Sequence, residues 1–197
     1  GGVNGSDSGS GVALDSSGDV YVAGTTTSYE VGFLIPEHIF LLKLNDSGSL
    51  IWQKIWKTNS SDQASGISVD SSGNIYVSGT TFSLTSGSNA LLLKFDPSGN
   101  LVWQKGWGGW GSSGVALGSG AATDSTGNSY LVGSLTGYLI LLKFNSTGGL
   151  VWTNYVGGDA GTGWLRFDAG SGVSVDHSGN VYVAGSTSQY NSHTGQH

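Results

Sequence analysis

Residues 11–25 read GVALDSSGDVYVAGT, and this stretch recurs three times along the chain. The related stretches lie at residues 66–80, 120–134 and 172–186. A second stretch, LLKLNDSGSLIW at residues 41–52, recurs at residues 92–103 and 141–152. Equivalent aspartate and tryptophan positions are 49 to 55 residues apart. Repeats at this pitch indicate stacked modules that bury their apolar faces against one another.

Each repeat contains short β-prone runs divided by turn residues. Val20-Tyr21-Val22 and its counterparts combine β-branched and aromatic residues, which suit a pleated, half-buried surface. Three further runs are apolar at nearly every position, as expected for strands covered on both faces. They lie at residues 39–44, 90–95 and 139–144. Together these runs predict four strands in every complete repeat.

Seven turn signals lie between the predicted strands. Four of them place an aspartate three residues before a glycine, at Asp15, Asp70, Asp124 and Asp176. Three more occur at residues 45–48, 96–99 and 145–148. An Asp or Asn side chain can accept a backbone N–H within its own turn, and the glycine can adopt the positive φ that a tight hairpin needs. The sequence therefore predicts an antiparallel meander.

Four-stranded antiparallel modules at this pitch are typical of β-propeller blades. The pattern Gly-Val-x-Val-Asp-x-Ser-Gly-Asn-Val-Tyr-Val-Ala-Gly-x-Thr, followed by Leu-Leu-Lys-Phe-Asp-x-Ser-Gly-Asn-Leu-Val-Trp, resembles the bacterial and archaeal SBBP β-propeller repeat. The resemblance covers nearly all of residues 11–188, and NHL repeats are more distantly similar. It implies a secreted or surface-exposed protein and no particular reaction.

We expect a single all-β propeller domain over residues 1–197, with units at about 11–65, 66–119, 120–171 and, partially, 172–197. This makes three complete blades plus the inner half of another, because residues 1–10 contain no strand-like run. Two alternatives follow. The chain is a segment of a longer array, or a four-bladed ring retains an unpaired strand edge near residues 180–188, where another chain could pair.

Composition favours a folded β-rich chain outside the cell. With 37% hydrophobic residues in repeated runs, the chain can bury a core despite its 35 glycines. It has no cysteine and no apolar run of about 18 residues, so neither disulfides nor a membrane span is predicted. The net charge of −6 and the scattered lysines argue against nucleic-acid binding. Lacking an initiator Met and a signal peptide, the chain is expected to be a mature or excised piece.

The repeated aspartates are the first candidate site. Since they occupy equivalent positions at one rim, they could form an acidic ring for a cation on the propeller axis. The alternative is that each carboxylate satisfies only its own turn, and the turn chemistry favours this interpretation. We therefore predict a structural role for these aspartates, with no metal and no cofactor.

Tryptophans form the second candidate site. Because Trp52, Trp103 and Trp152 recur at one place in the fourth strand, they are expected to pack between blades. Other residues lie in or beside connections between blades, where aromatic faces could stack on sugar rings while polar groups bind the hydroxyls. These candidate ligand-binding residues are Trp107, Trp110, Trp164, Arg166 and Asp168. The alternative is that the indoles cover blade ends.

Four Asn-x-Ser/Thr sequons begin in predicted loops, at Asn4, Asn45, Asn59 and Asn145. They are candidates for N-glycosylation. Asn45 and Asn145 also occupy turn positions of the repeat, so they could equally be turn residues alone.

No catalytic residue is predicted. Asp176, His177 and Ser178 are triad residue types, but neighbours in a tight turn cannot align as nucleophile, base and orienting acid. Glu30 and Glu37 could pair, although nothing nearby in the sequence would raise either pKa. An enzyme is the weakest of three functional interpretations.

The favoured interpretation is a non-enzymatic structural module, extracellular or on a cell surface. Such a module could associate with itself or with another surface protein, and open strand edges could lead to filaments. The alternative is a lectin-like module that binds carbohydrate or protein through the tryptophan-bearing loops between blades.

Overall fold

The computed structural model describes residues 5–27, 36–83, 87–108, 115–157 and 168–187. These residues form fourteen strands in four antiparallel sheets. Blade 1 contains β1 (Asp7–Leu14), β2 (Val20–Thr26), β3 (His38–Leu44) and β4 (Leu50–Trp56). Blade 2 contains β5 (Asp62–Val69), β6 (Ile75–Thr81), β7 (Asn89–Phe95) and β8 (Leu101–Trp107). Blade 3 contains β9 (Ala116–Thr123), β10 (Ser129–Leu135), β11 (Tyr138–Phe144) and β12 (Leu150–Gly157). The half blade contains β13 (Ala169–Val175) and β14 (Val181–Ser186).

The fold is therefore all-β, and the predicted meander is confirmed. Strands within each blade pair in chain order, giving three four-stranded sheets and one two-stranded sheet. The four sheets do not close into a ring within the described part of the chain. One expectation was wrong, because β1 begins at Asp7 and so places a strand within residues 1–10. No helix of the described residues is long and apolar enough to cross a membrane.

The tight turns have the chemistry that the sequence predicts. In the β1–β2 turn, Asp15 Oδ1 accepts hydrogen bonds from the backbone N–H groups of Ser17 and Asp19, at 2.9 and 3.0 Å. Gly18 completes the turn with a φ of 85°. Because a Cβ disfavours this left-handed conformation, glycine is required there.

Inner strands pack side by side in blade order around the propeller axis. Each carries a register shift, which leaves one serine out of the pairing: Ser10, Ser65, Ser119 and Ser171. A glycine follows each serine, and these glycines allow close backbone approach. A Cβ on Gly66 would lie 3.3 Å from the Gly120 Cα, and a Cβ on Gly120 would lie 3.3 Å from the Gly172 Cα. The bulge and the glycine together bring successive blades into contact.

The core lies between blades. One apolar cluster joins blades 1 and 2, and a second joins blades 2 and 3. In β7, Leu91 and Leu93 belong to the first cluster and Leu92 to the second, so the strand is buried on both faces. The strands β3 and β11 are only partly buried. Full coverage of the predicted apolar runs is thus found in the middle blade alone, because that blade has a complete neighbour on each side.

Candidate functional site

A cluster of Asp, Tyr and Lys side chains lies at the turn between the first and second strands of each complete blade. In blade 1, Asp15 Oδ2 accepts a hydrogen bond from the Tyr21 hydroxyl at 3.0 Å. Lys43 Nζ lies 2.9 Å from Asp19 Oδ2 and 5.0 Å from the centroid of the Tyr21 ring. Blades 2 and 3 repeat the tyrosine-to-aspartate hydrogen bond at 3.1 Å. Each cluster ties its turn to strands 2 and 3 of its own blade.

The carboxylates of this rim are already engaged by their own turns. Burial acts to raise the pKa of Asp15, but hydrogen bonds from Tyr21 and Ser17 outweigh it and lower the pKa below the usual range. Burial is likewise outweighed at Asp124, where hydrogen bonds from Asn128 and Thr126 hold the pKa well below the usual range. No three His, Asp or Glu side chains of the described residues are grouped as metal ligands.

The recurrent tryptophans connect one blade to the next. The Trp103 ring lies 6.0 Å from the Tyr76 ring of its own blade and 6.5 Å from Phe144 of blade 3. A Cβ built on Gly148, in the β11–β12 turn of blade 3, would lie 3.0 Å from Trp103 Cδ2. A Cβ built on Gly99, in the β7–β8 turn of blade 2, would likewise lie against the Trp52 ring of blade 1. The outer turn of each following blade therefore seats on the tryptophan of the blade before it.

The structure describes two of the five candidate ligand-binding residues, Trp107 and Asp168. Trp107 is the last residue of β8 and packs against the cluster between blades 2 and 3. Its Nε1 is buried without a hydrogen-bond partner among the described residues. Trp110, Trp164 and Arg166 lie outside the described residues. Trp107 is therefore a partly buried residue that packs against the core between blades 2 and 3.

Asp168 is also buried, with 2% of its surface exposed. It precedes β13 and occupies the same position of the repeat as Asp7 and Asp62. No role was predicted for this repeat position. Asp62 is fully buried and accepts hydrogen bonds from the hydroxyls of Thr81 and Thr58, at 2.5 and 2.8 Å. All three aspartates lie three residues before a Ser-Gly pair, and this shared pattern in the sequence could have identified them as equivalent. Asp168 is therefore buried just before an inner strand, and its proposed role in ligand binding stays a prediction.

The remaining candidates are dispersed over the fold. Asp176 Oδ1 accepts the backbone N–H of Ser178 at 2.9 Å, which is a turn contact and not a triad. Glu37 accepts a hydrogen bond from Gln63, whereas Glu30 lies outside the described residues. Among the sequons, Asn4 lies outside the described residues. Asn45 and Asn145 are in outer turns of blades 1 and 3, and Asn59 is exposed in the β4–β5 connection.

Two blade faces are uncovered in the described part of the chain. On blade 1, Val12 and Leu14 are 63% and 62% exposed, although their repeat counterparts Ile67 and Val69 pack against the core between blades 1 and 2. On the half blade, Tyr182 is 58% exposed. Its counterparts in the complete blades are at most 1% exposed: Tyr21, Tyr76 and Tyr130. Both faces carry the side chains of a blade interface without a neighbouring blade.

Comparison with known proteins identifies the repeat. The family model SBBP, a beta-propeller repeat, matches residues 1–30 and 57–83, which confirms the resemblance for these residues. No curated protein matches the chain.

Two solved structures are similar in fold. A protein of unknown function from Bacteroides caccae matches with a TM-score of 0.51 and 12% identity, over 90% of this chain and 53% of its own. A gluconolactonase from Xanthomonas campestris matches with a TM-score of 0.52 and 13% identity, over 89% of this chain and 55% of its own. At such identities the likeness concerns the fold alone, and the chain spans about half the length of either protein. Matched by SBBP repeats and built of four-stranded antiparallel blades, the chain has a β-propeller fold.

Proposed function

We propose that this chain is a non-enzymatic structural module of an extracellular or cell-surface assembly. Its uncovered blade faces join further blades, supplied by a second copy of the chain or by another surface protein. The observation that carries this proposal is the contrast between equivalent repeat positions, which are buried between blades and exposed at the two outer faces.

Blade 1 offers an apolar face for such a contact. Val12 and Leu14 stand beside Val22, Leu42 and Leu44, which are only partly buried. Fully burying a Val or Leu side chain contributes about 1.5–3 kcal/mol, and contiguous exposed apolar residues are typical of interaction surfaces. A blade seated here would make the contacts that blades 1 and 2 make with each other.

The half blade offers a strand edge in addition to a face. Among the described residues β14 pairs with β13 alone, so its other edge presents unpaired backbone N–H and C=O groups. An unpaired edge is a template for a strand from another chain. Because the two uncovered surfaces differ, joining them head to tail gives a heterologous contact, which produces a ring or a filament.

The rim supports a role without catalysis. Its carboxylates accept the hydrogen bonds of their own turns, and lowered pKa values leave Asp15 and Asp124 poor proton acceptors at neutral pH. The gluconolactonase neighbour does not alter this proposal, since 13% identity carries no information on activity.

A matched pair of variants tests the proposal. L14D places a charge on the uncovered face of blade 1, and L101D makes the same change at a 44% exposed position in the outer strand of blade 2, which has a neighbouring blade on each side. Light scattering after size exclusion should show concentration-dependent oligomers for the wild type and L101D, and smaller species for L14D. Electron microscopy of native material should show filaments or lattices. A wild-type monomer at every concentration, with no native assembly, would refute the proposal.

A further inference from the structure

We propose that Asn145 is a glycan attachment site, and that Asn45, in the equivalent turn of blade 1, is a second one. Each begins a sequon, Asn145-Ser146-Thr147 and Asn45-Asp46-Ser47. This inference does not depend on the proposed assembly.

The side chain of Asn145 holds its turn with the oxygen alone. Asn145 is exposed, and its Oδ1 accepts hydrogen bonds from Thr147 N, Thr147 Oγ1 and Gly149 N, at 3.1, 2.8 and 2.7 Å. Its Nδ2 donates no hydrogen bond to a described residue. The atom that would carry a sugar is therefore available while the turn is intact. Asn45, which is half-buried, repeats these hydrogen bonds, with Oδ1 accepting from Ser47 Oγ and Ser49 N, both at 2.8 Å.

Asparagines that follow the β-turn aspartates use their side chains in the opposite way. Their Nδ2 atoms donate to the aspartate of the turn at 2.8–2.9 Å: Asn74, Asn100, Asn128 and Asn180. None of them begins a sequon. In these turns, the side-chain amide nitrogen of an asparagine outside a sequon donates a hydrogen bond. The side-chain amide nitrogen of Asn45 or Asn145, which begin sequons, donates none to a described residue.

Blade 2 provides an internal reference, because Asp96 stands where blades 1 and 3 have asparagine. Its Oδ1 accepts the backbone N–H groups of Ser98 and Asn100 at 2.9 and 2.8 Å. A carboxylate therefore forms the same turn, and the turn itself does not require an amide. Pro97 follows Asp96, so this position could not be a sequon even with asparagine.

Hydrogen bonds from blade 2 anchor the turn that contains Asn145. Lys94 Nζ and Trp103 Nε1 of blade 2 both donate to the Ser146 carbonyl, at 3.2 and 3.4 Å. Gly148 is buried against blade 2, whereas Asn145 and Thr147 face solvent. A glycan here would extend from the propeller rim without entering a contact between blades.

The reaction needs a glycan activated on an isoprenoid phosphate or diphosphate. Nδ2 attacks the sugar C1, the N–C1 bond forms, and the C1–O bond breaks with its electron pair leaving on the phosphate. Nδ2 loses one proton and keeps the other. The product retains Oδ1 as an acceptor, so the hydrogen bonds of the turn persist.

Glycopeptide mass spectrometry of the protein purified from its source organism tests the assignment. We expect a glycan on the peptide containing Asn145. N145D, expressed in the same organism, should lose that mass while the urea midpoint stays close to the wild type, because blade 2 uses aspartate at this position. T147A should also lose the mass, and T147S, which keeps the hydroxyl, should retain it. An unmodified Asn145 in native protein, or a glycan that persists in T147A, would overturn the inference.

Discussion

The contact between blades makes a quantitative prediction for two glycines in equivalent turns. Gly48 and Gly148 have nearly the same backbone conformation, with φ values of 81° and 80°. Their surroundings differ. A Cβ at position 48 would meet nothing within 4 Å, whereas one at position 148 would lie 2.8 Å from Lys105 Cε and 3.0 Å from Trp103 Cδ2. G48A therefore introduces backbone strain alone, and G148A adds a steric conflict across the blade interface.

The two costs can be estimated separately. A residue with a Cβ in the left-handed region costs roughly 1–2 kcal/mol, and this applies to both variants. Overpacking costs typically about 1–3 kcal/mol, and it applies to G148A alone, because the indole of Trp103 is itself packed between Tyr76 and Phe144. We expect G148A to lower the free energy of unfolding by about 1–3 kcal/mol more than G48A does.

Urea unfolding followed by tryptophan fluorescence measures this difference. With an m-value of about 2 kcal/mol/M, the midpoint of G148A should lie about 0.5–1.5 M below that of G48A. Lys105 can move its flexible end, so the steric conflict is mainly with Trp103. In a double-mutant cycle, G148A should therefore cost less stability in a W103L background than in the wild type. Equal midpoints for G48A and G148A would refute the reasoning, since outer turns would then not seat on the preceding tryptophan.

Two further predictions concern the Asp–Tyr cluster. Y76F removes the buried hydroxyl that donates to Asp70 and should lower the free energy of unfolding by about 1.5–3 kcal/mol. Y182F removes the hydroxyl of a tyrosine that is 58% exposed and should lower it by less than about 0.5 kcal/mol. Urea unfolding measures both values, and equal losses would contradict the role of burial. Because the pKa of Asp124 is lowered in the folded state, its contribution to stability is complete above the unfolded pKa of about 3.9 and is lost as the pH falls below it. D124N should therefore lose less stability than the wild type between about pH 5 and pH 2 in urea titrations, and an unchanged acid dependence would contradict the lowered pKa.

Much of the fold could be predicted from the sequence because its signals are local and repeated. The Asp-x-x-Gly turns specify hairpins through contacts within five residues, so their outcome does not depend on distant parts of the chain. The blade pitch follows in the same way from repeats of a meander. The start of the first strand was missed because Asp7 to Ser10 contain no apolar residue, and their strand conformation comes from pairing with β2.

Side-chain roles were harder to predict, since they depend on contacts between blades. The sequence places Trp107 in or beside a connection between blades, and it is in fact the last residue of β8, where it packs against the core. Asp168 was grouped with loop residues because of nearby Trp164 and Arg166. Its burial follows from the repeat position that it shares with Asp62, and the Asp-x-x-Ser-Gly pattern in the sequence marks that position.

The repeat also gives a physical reason for the proposed assembly. Every unit carries both halves of the blade interface: an inner strand with Ser-Gly that packs onto the preceding blade, and a Tyr-bearing face that receives the next one. Units that repeat the same interface positions cannot distinguish an internal blade from an outer one. The apolar residues that stabilise blade 2 from both sides are therefore present on blade 1 as well, where Val12 and Leu14 are 63% and 62% exposed. Closure of the ring, further blades or another chain can each satisfy that surface, and all three use the same contacts.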